Sequence, residues 1–222
     1  MKKISLIILF IVTGITNAQI VNIPDVNFKN ALVNYNVADF GDGNLVKVDE
    51  NNDGEIQVNE AQSVNKLFVG FYDIVSLEGI EAFTNLIELE CRNNDLISLD
   101  LYYNPSLEVL NCYVNDLIFL NVSENLNLTT LNCGANDLID LDISKKLLLK
   151  YLICERNELI SLDVSQNINL LELDCKKNNI PDLIVNQNIA IEKIWCYENS
   201  IASLDVSNNP NLTLLWCDDN NI

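Results

Sequence analysis

Residues 86–104 read LIELECRNNDLISLDLYYN. Leu86, Leu89, Cys91, Asn94 and Leu96 follow the order L-x-x-L-x-C-x-x-N-x-L, and Leu96, Leu99, Leu101 and Asn104 begin it again ten residues later. The cysteine sets the beat for the rest of the chain. Cys91, Cys112, Cys133, Cys154, Cys175, Cys196 and Cys217 stand 21 residues apart without exception. Asn94, Asn115, Asn136, Asn157, Asn178, Asn199 and Asn220 follow each cysteine by three, and Leu89, Leu110, Leu131, Leu152, Leu173, Ile194 and Leu215 precede it by two. A fixed period between 20 and 50 residues marks a solenoid, because one unit cannot bury its apolar face without its neighbours.

Each unit holds two arcs, of ten and eleven residues; the second often reads L-D-V-S-x-N, as at Leu162–Asn167 and Leu204–Asn209. The L-x-C and L-x-V triplets alternate in and out, as short strands do. Parallel rungs stack about 4.8 Å apart, so seven Cys-bearing coils rise roughly 30–35 Å. The expected fold is a mostly β solenoid of the α/β repeat type. It is a right-handed coil with a parallel sheet on one face and short strands or extended turns on the other. An earlier, worn coil is visible in Val64, Leu67 and Val69, followed by Ile74 and Leu77. Val69 fills the cysteine slot, which identifies that slot as an apolar filler.

The cysteines are accordingly read as buried, reduced thiols. In-register parallel strands aim neighbouring side chains the same way, a poor geometry for a disulfide. No C-x-x-C pair offers a zinc site. The asparagines are read as backbone partners at the turns, since each carries both a donor and an acceptor. A third row, Asp100, Asp142, Asp163 and Asp205, interrupted by Asn121 and Ile184, fits turn N–H groups better than catalysis.

The 222 residues carry a formal charge of −19 and no histidine. That excludes a basic nucleic-acid patch and every His-based triad, metal site or pH switch. Asparagine is abundant, with 35 copies. Lys2 and Lys3, the apolar run Ile4–Ile15 and the small residues of Thr16-Asn17-Ala18 form a signal-peptide pattern over residues 1–18. Without Lys2 and Lys3 the balance is 11 basic against 32 acidic residues, or −21. No other stretch reaches transmembrane length. The mature chain is expected outside the cell, without membrane insertion.

Between leader and solenoid, residues 19–63 are read as a cap. Ile23-Pro24-Asp25 opens a short helix with Phe28, Ala31 and Leu32 on one face. Residues 49–60, DENNDGEIQVNE, fit the EF-hand loop. Asp49, Asn51 and Asp53 take positions 1, 3 and 5, Gly54 the sharp turn, Glu55 a carbonyl ligand, Gln57 position 9 and Glu60 the bidentate position 12. These oxygen donors suit Ca²⁺ as a structural ion that staples the cap to the first coil. Leu45-Val46-Lys47-Val48 reads as extended, not as an entering helix. Residues 64–222 then form about eight coils of 21–22 residues, the last stopping in mid-coil at Asn220-Asn221-Ile222.

The repeat resembles bacterial leucine-rich-repeat surface proteins of the internalin family. It is most similar to the internalin J-like subgroup with Cys in the third apolar slot, and to the nested class called IRREKO. Ile74–Glu81 is similar to the internalin cap-to-repeat junction. Ile23-Pro24-Asp25 with Phe28 and the 49–60 loop resembles secreted repeat proteins of Bacteroidetes. The resemblance implies a non-enzymatic, secreted or cell-surface module, an adhesin that binds protein or glycan on a host or neighbouring cell. Family members continue into a terminal cap and often an anchor or sorting domain.

Outward positions on the Cys-bearing strands are the candidate ligand face, with Tyr113, Tyr151, Trp195, Tyr197 and Trp216 as aromatic anchors. Trp195 and Trp216, in equivalent slots, are expected to stack. No nucleophile–base pair or Gly-rich phosphate loop stands out. The competing readings are a non-catalytic region of a larger secreted enzyme and a structural surface-layer spacer.

Overall fold

The computed structural model describes residues 19–222; the signal-peptide reading lies outside the described residues. Helix α1 (Val26–Asn34) begins at Asp25, whose Oδ1 accepts hydrogen bonds from the backbone N–H of Asn27 and Phe28. Phe28, Ala31 and Leu32 turn inward from it, as their spacing predicts. Oδ2 of the same Asp25 accepts from the N–H of Val75 and Ser76 in the first coil, so one carboxylate both starts the helix and ties the cap down. Gly79 completes that junction. It sits at φ +104, where a Cβ would meet Ile23 Cγ1 at 2.7 Å and the Asn22 carbonyl oxygen at 2.9 Å.

Strand β1 (Ala38–Asp39) pairs antiparallel with β2 (Lys66–Phe68), and α2 (Val58–Ser63) lies between them in sequence. From β2 onward every pairing in this sheet is parallel. It runs through β3 (Glu88–Glu90), β5 (Val109–Asn111), β7 (Thr130–Asn132), β8 (Tyr151–Ile153), β9 (Glu172–Asp174), β10 (Lys193–Trp195) and β11 (Leu214–Trp216). The register is the sequence period itself, so Leu89 faces Leu110 and Leu152 faces Leu173. The second arcs make only one small sheet, β4 (Ser98–Asp100) with β6 (Phe119–Asn121); later second arcs continue as extended turns. Both outcomes foreseen for the second face occur.

The interior is a single column of leucine, isoleucine, valine and cysteine. Cys91 to Cys196 are buried; Cys217, in the last coil, is half-buried, and all seven thiols are free. Val69, in the cysteine slot of the first coil, is fully buried. Behind each cysteine the asparagine serves three backbone groups. Asn136 Nδ2 donates to the carbonyls of Cys112 and Cys133, and its Oδ1 accepts from the N–H of Leu117. The arrangement holds the turn so firmly that the residue before each asparagine adopts a left-handed conformation. Asn93, Val114, Ala135, Arg156, Lys177, Glu198 and Asp219 all lie at φ between 51 and 57°, and none is glycine. A non-glycine residue costs about 1–2 kcal/mol there, which the three asparagine bonds at each turn offset.

A second asparagine row, Asn104, Asn125, Asn167, Asn188 and Asn209, lines the other arc. Each donates to two carbonyls of the coil before it, as Asn125 does to Leu101 and Asn104. Position 146, in register with that row, is a lysine. Lys146 is 1% exposed, and its Nζ donates to the Ser123 carbonyl. Burial pulls its pKa below the ordinary lysine value.

Candidate functional site

Two places gather the residues marked by the sequence. The first is the cap loop. Gly54 turns at φ +83, as a sixth-position glycine must. Asp49 is 2% exposed, and its carboxylate accepts from the N–H of Asp53 and Gly54. Asn51 Oδ1 accepts from the Asp53 N–H, and Asp53 Oδ1 from the Glu55 N–H. That last bond holds the Asp53 carboxyl below its usual range, with the Gln57 side chain adding to it. Glu60, 3% exposed, folds back so that Oε1 meets the Glu50 and Asn51 N–H groups and Oε2 caps Gln57.

Asp49 and Glu60 are thus two buried carboxylates, neither engaging a basic side chain among the described residues. The basic groups nearby are committed elsewhere: Lys29 to the Glu55 carboxylate at 2.6 Å, Lys47 to Asn52. Among the described residues no three acidic or thiol side chains converge on one point. The loop's oxygens are spread along a chain of turns. The donor chemistry, the tight glycine and the two uncompensated carboxylates fit a hard cation. The entering segment is extended, with Val46 bridged to Ala38, as its sequence suggests.

The second place is the outer surface of the Cys-bearing sheet. One row, a single position after each cysteine, runs Arg92, Tyr113, Gly134, Glu155, Lys176, Tyr197 and Asp218. Tyr113 lies across Gly134, where an added Cβ would stand 3.2 Å from the tyrosine Cδ2. Lys176 is the pivot of the row. Its ammonium pairs with both Glu155 and Asp174 and lies 5.9 Å from the centre of the Tyr197 ring. Burial opposes its charge, but hydrogen bonds to Asp174 and Glu155 outweigh it and hold its pKa above the ordinary value. Burial pushes the Asp174 carboxyl up against the pull of Lys176, and the neighbouring Glu155 carboxylate adds to the rise.

Trp195 faces Trp216 in the strand register, but the ring that meets Trp216 is Tyr197, at 6.3 Å between centroids and 49° between planes. The expected indole stack is replaced by this diagonal contact, because Tyr197 lies on the same face two residues beyond Trp195. Trp216 is 52% exposed and Tyr151 37%. Trp195, Tyr197 and Trp216 therefore form one cluster on adjacent rungs. Tyr151 stands two rungs away, beyond Glu172 and Lys193, which pair at 2.6 Å. Tyr113 lies four rungs from Tyr197, about 19 Å along the coil, and does not join them. Lys176, which organises the face, is legible in sequence as an outward residue of the charged belt Glu172, Asp174, Lys176 and Lys177, in the 21-residue column of Tyr113 and Tyr197; its pairing with Glu155 one rung away shows only in the fold.

Solved structures place this geometry. The functional domain of InlJ from Listeria monocytogenes, described as including a cysteine ladder, superimposes with a TM-score of 0.79 at 36% identity, over 91% of this chain and 43% of that one. The fold is an internalin-like leucine-rich-repeat coil. Internalin C2 from L. monocytogenes shares the coil at 22% identity and a TM-score of 0.72, covering 89% of this chain and 85% of that one. So does the leucine-rich-repeat ectodomain of the plant receptor kinase GASSHO1/SCHENGEN3 from Arabidopsis thaliana, solved in complex with Casparian strip integrity factor 2. It matches at 16% identity and a TM-score of 0.65, over 72% of this chain and 22% of that one. The leucine-rich-repeat chain spans less than half the length of the InlJ chain it matches. No protein-family model and no curated protein matches it. Among the described residues no helix is long and apolar enough to cross a membrane.

Proposed function

We propose that the protein is an exported, non-enzymatic binding module that acts outside the cell or on its surface, as an adhesin for a protein or glycan on a host or neighbouring cell. The observation that carries this reading is the cluster of Trp195, Tyr197 and Trp216 on a sheet bonded rung to rung. Amphipathic rings on a rigid surface supply contact area with little ordering cost. Glu172, Asp174, Lys176 and Lys193 give the cluster a paired polar border. Replacing Trp195 and Trp216 by Ala is expected to weaken capture on a protein and glycan array by about tenfold or more, with the circular dichroism of the coil unchanged. Equal capture by both proteins would remove the sheet face from consideration.

We infer that Ca²⁺ is the ion of the cap loop. Asp49, Asn51, Asp53, Gln57 and Glu60 side chains with the Glu55 carbonyl would hold it, and its charge would compensate the two buried carboxylates. At a hundredfold excess over its dissociation constant it would stabilise the fold by about 2.7 kcal/mol. That shifts the melting midpoint by roughly 5–10 °C for a chain of this size. The shift should vanish in chelator and in Glu60→Gln; a midpoint indifferent to Ca²⁺ would refute the assignment.

A further inference from the structure

Five successive second arcs repeat one pattern that the sheet-face reading does not use. Residues 73–78, 95–100, 116–121, 137–142 and 158–163 read DIVSLE, DLISLD, DLIFLN, DLIDLD and ELISLD. The third residue of each points out: Val75, Ile97, Ile118, Ile139 and Ile160 are 60, 57, 64, 53 and 60% exposed. They lie on adjacent rungs, since the Ile118 N–H donates to the Ile97 carbonyl at 2.9 Å and the Ile160 N–H to the Ile139 carbonyl at 3.4 Å. A row of five exposed β-branched side chains is an apolar spine of the kind that marks a contact surface.

The setting of the spine says what would cover it. The five segments hold ten carboxylates and no lysine or arginine. All ten are exposed, and none takes part in a salt bridge among the described residues. On the Cys-bearing face the opposite holds, with six of the seven ion pairs among the described residues gathered there. The flank is therefore apolar along its middle and lined on both edges by carboxylates without direct ion pairs, with Asp142 feeling the nearby charges of Lys145 and Lys146. A second copy of the chain would bring the same charges against it. Where the small second sheet ends after Asn121, the rungs part into a groove of about 330 Å³ between Ile118, Phe119, Ile139, Asp140 and Asp142. Apolar walls with two carboxylates suit the stem and head of a long basic side chain.

We propose that this flank docks a cationic amphipathic helix of a partner polypeptide, its apolar stripe on the isoleucine spine and its lysines or arginines on the acidic edges. The spacing favours a helix. One helical turn rises about 5.4 Å and one rung about 4.8 Å, whereas alternate residues of an extended strand stand about 6.8 Å apart.

The test is fluorescence anisotropy of a labelled peptide against the purified chain. The probe is an 18-residue Leu/Lys peptide with leucines at helical spacing; its control is a scrambled peptide of the same composition. The helical peptide should bind at least about tenfold tighter than the scrambled one. Ile118→Ser with Ile139→Ser, and separately Asp140→Asn with Asp142→Asn, should each cost about tenfold, from lost apolar burial and lost charge. Leu126→Ser with Leu147→Ser removes exposed aliphatics outside the flank and should change nothing. Equal binding of the two peptides, or flank variants that bind like the parent, would overturn the proposal.

Discussion

At the scale of single residues, the amides decide more than the apolar side chains do. Seven asparagines were legible from spacing alone, because a donor–acceptor side chain repeated at a turn has few other uses. Their left-handed neighbours were not legible: Val114, Ala135, Arg156 and Lys177 share no chemistry, and only the backbone unites them. Lys146 escaped for a related reason, since its row shows only when the second arcs are aligned as strictly as the first. It is also the row's weak point. Asn125 and Asn167, in the same row, each make two backbone bonds, whereas Lys146 makes one and carries a buried charge. Lys146→Asn is therefore expected to raise stability by about 1–2 kcal/mol, read as an upward shift of the urea midpoint at unchanged slope.

At the scale of elements, three-residue strands owe their persistence to their neighbours. The L-x-C triplets predicted the main sheet rung by rung, and Asp25 with its apolar face predicted α1. The second arcs were ambiguous in sequence because L-D-V triplets serve equally as strands or as extended turns. The structure shows both, the strands ending where the rungs part beyond Asn121. In the cap loop the residue types and the tight glycine were readable, whereas the commitment of Lys29 to Glu55 depends on a fold-level contact that no local pattern encodes. The cysteine row gives the elements a pH limit. An unfolded thiol ionises near 9.0, whereas burial pushes Cys133 and Cys196 up to about 12. Between those values the folded chain keeps protons that the unfolded chain has lost, so stability falls as pH rises; below 9.0 the contribution is fully present. Urea midpoints measured from pH 8 to 11 should decline across that window, and Cys133→Val should make the decline shallower only by its share, because Cys91, Cys112, Cys154, Cys175 and Cys196 are raised as well.

At the scale of the whole molecule, the coil is a sum of nearest-neighbour contacts. Removing residues 134–154 deletes one full period and leaves every later rung in phase. The shortened chain should fold, keep its sheet signal in circular dichroism and melt at a lower urea concentration. Removing only residues 134–137 should abolish the transition, because a shift of four leaves no later leucine or cysteine of the repeat on an inward slot. If the two deletions behaved alike, nearest-neighbour stacking would be the wrong description of the fold. The period that makes such a prediction possible was also what made the architecture readable, while the surface rows needed coordinates to show which columns stay exposed.

The lopsided distribution of ion pairs has a dynamical consequence. Paired charges occupy one side of the coil and unpaired carboxylates another, so the molecule carries a transverse electric moment. In the field of a charged surface it would feel a torque about its long axis and rotate to a preferred roll angle before touching. A tumbling rod would thereby meet its first collision with one flank already chosen.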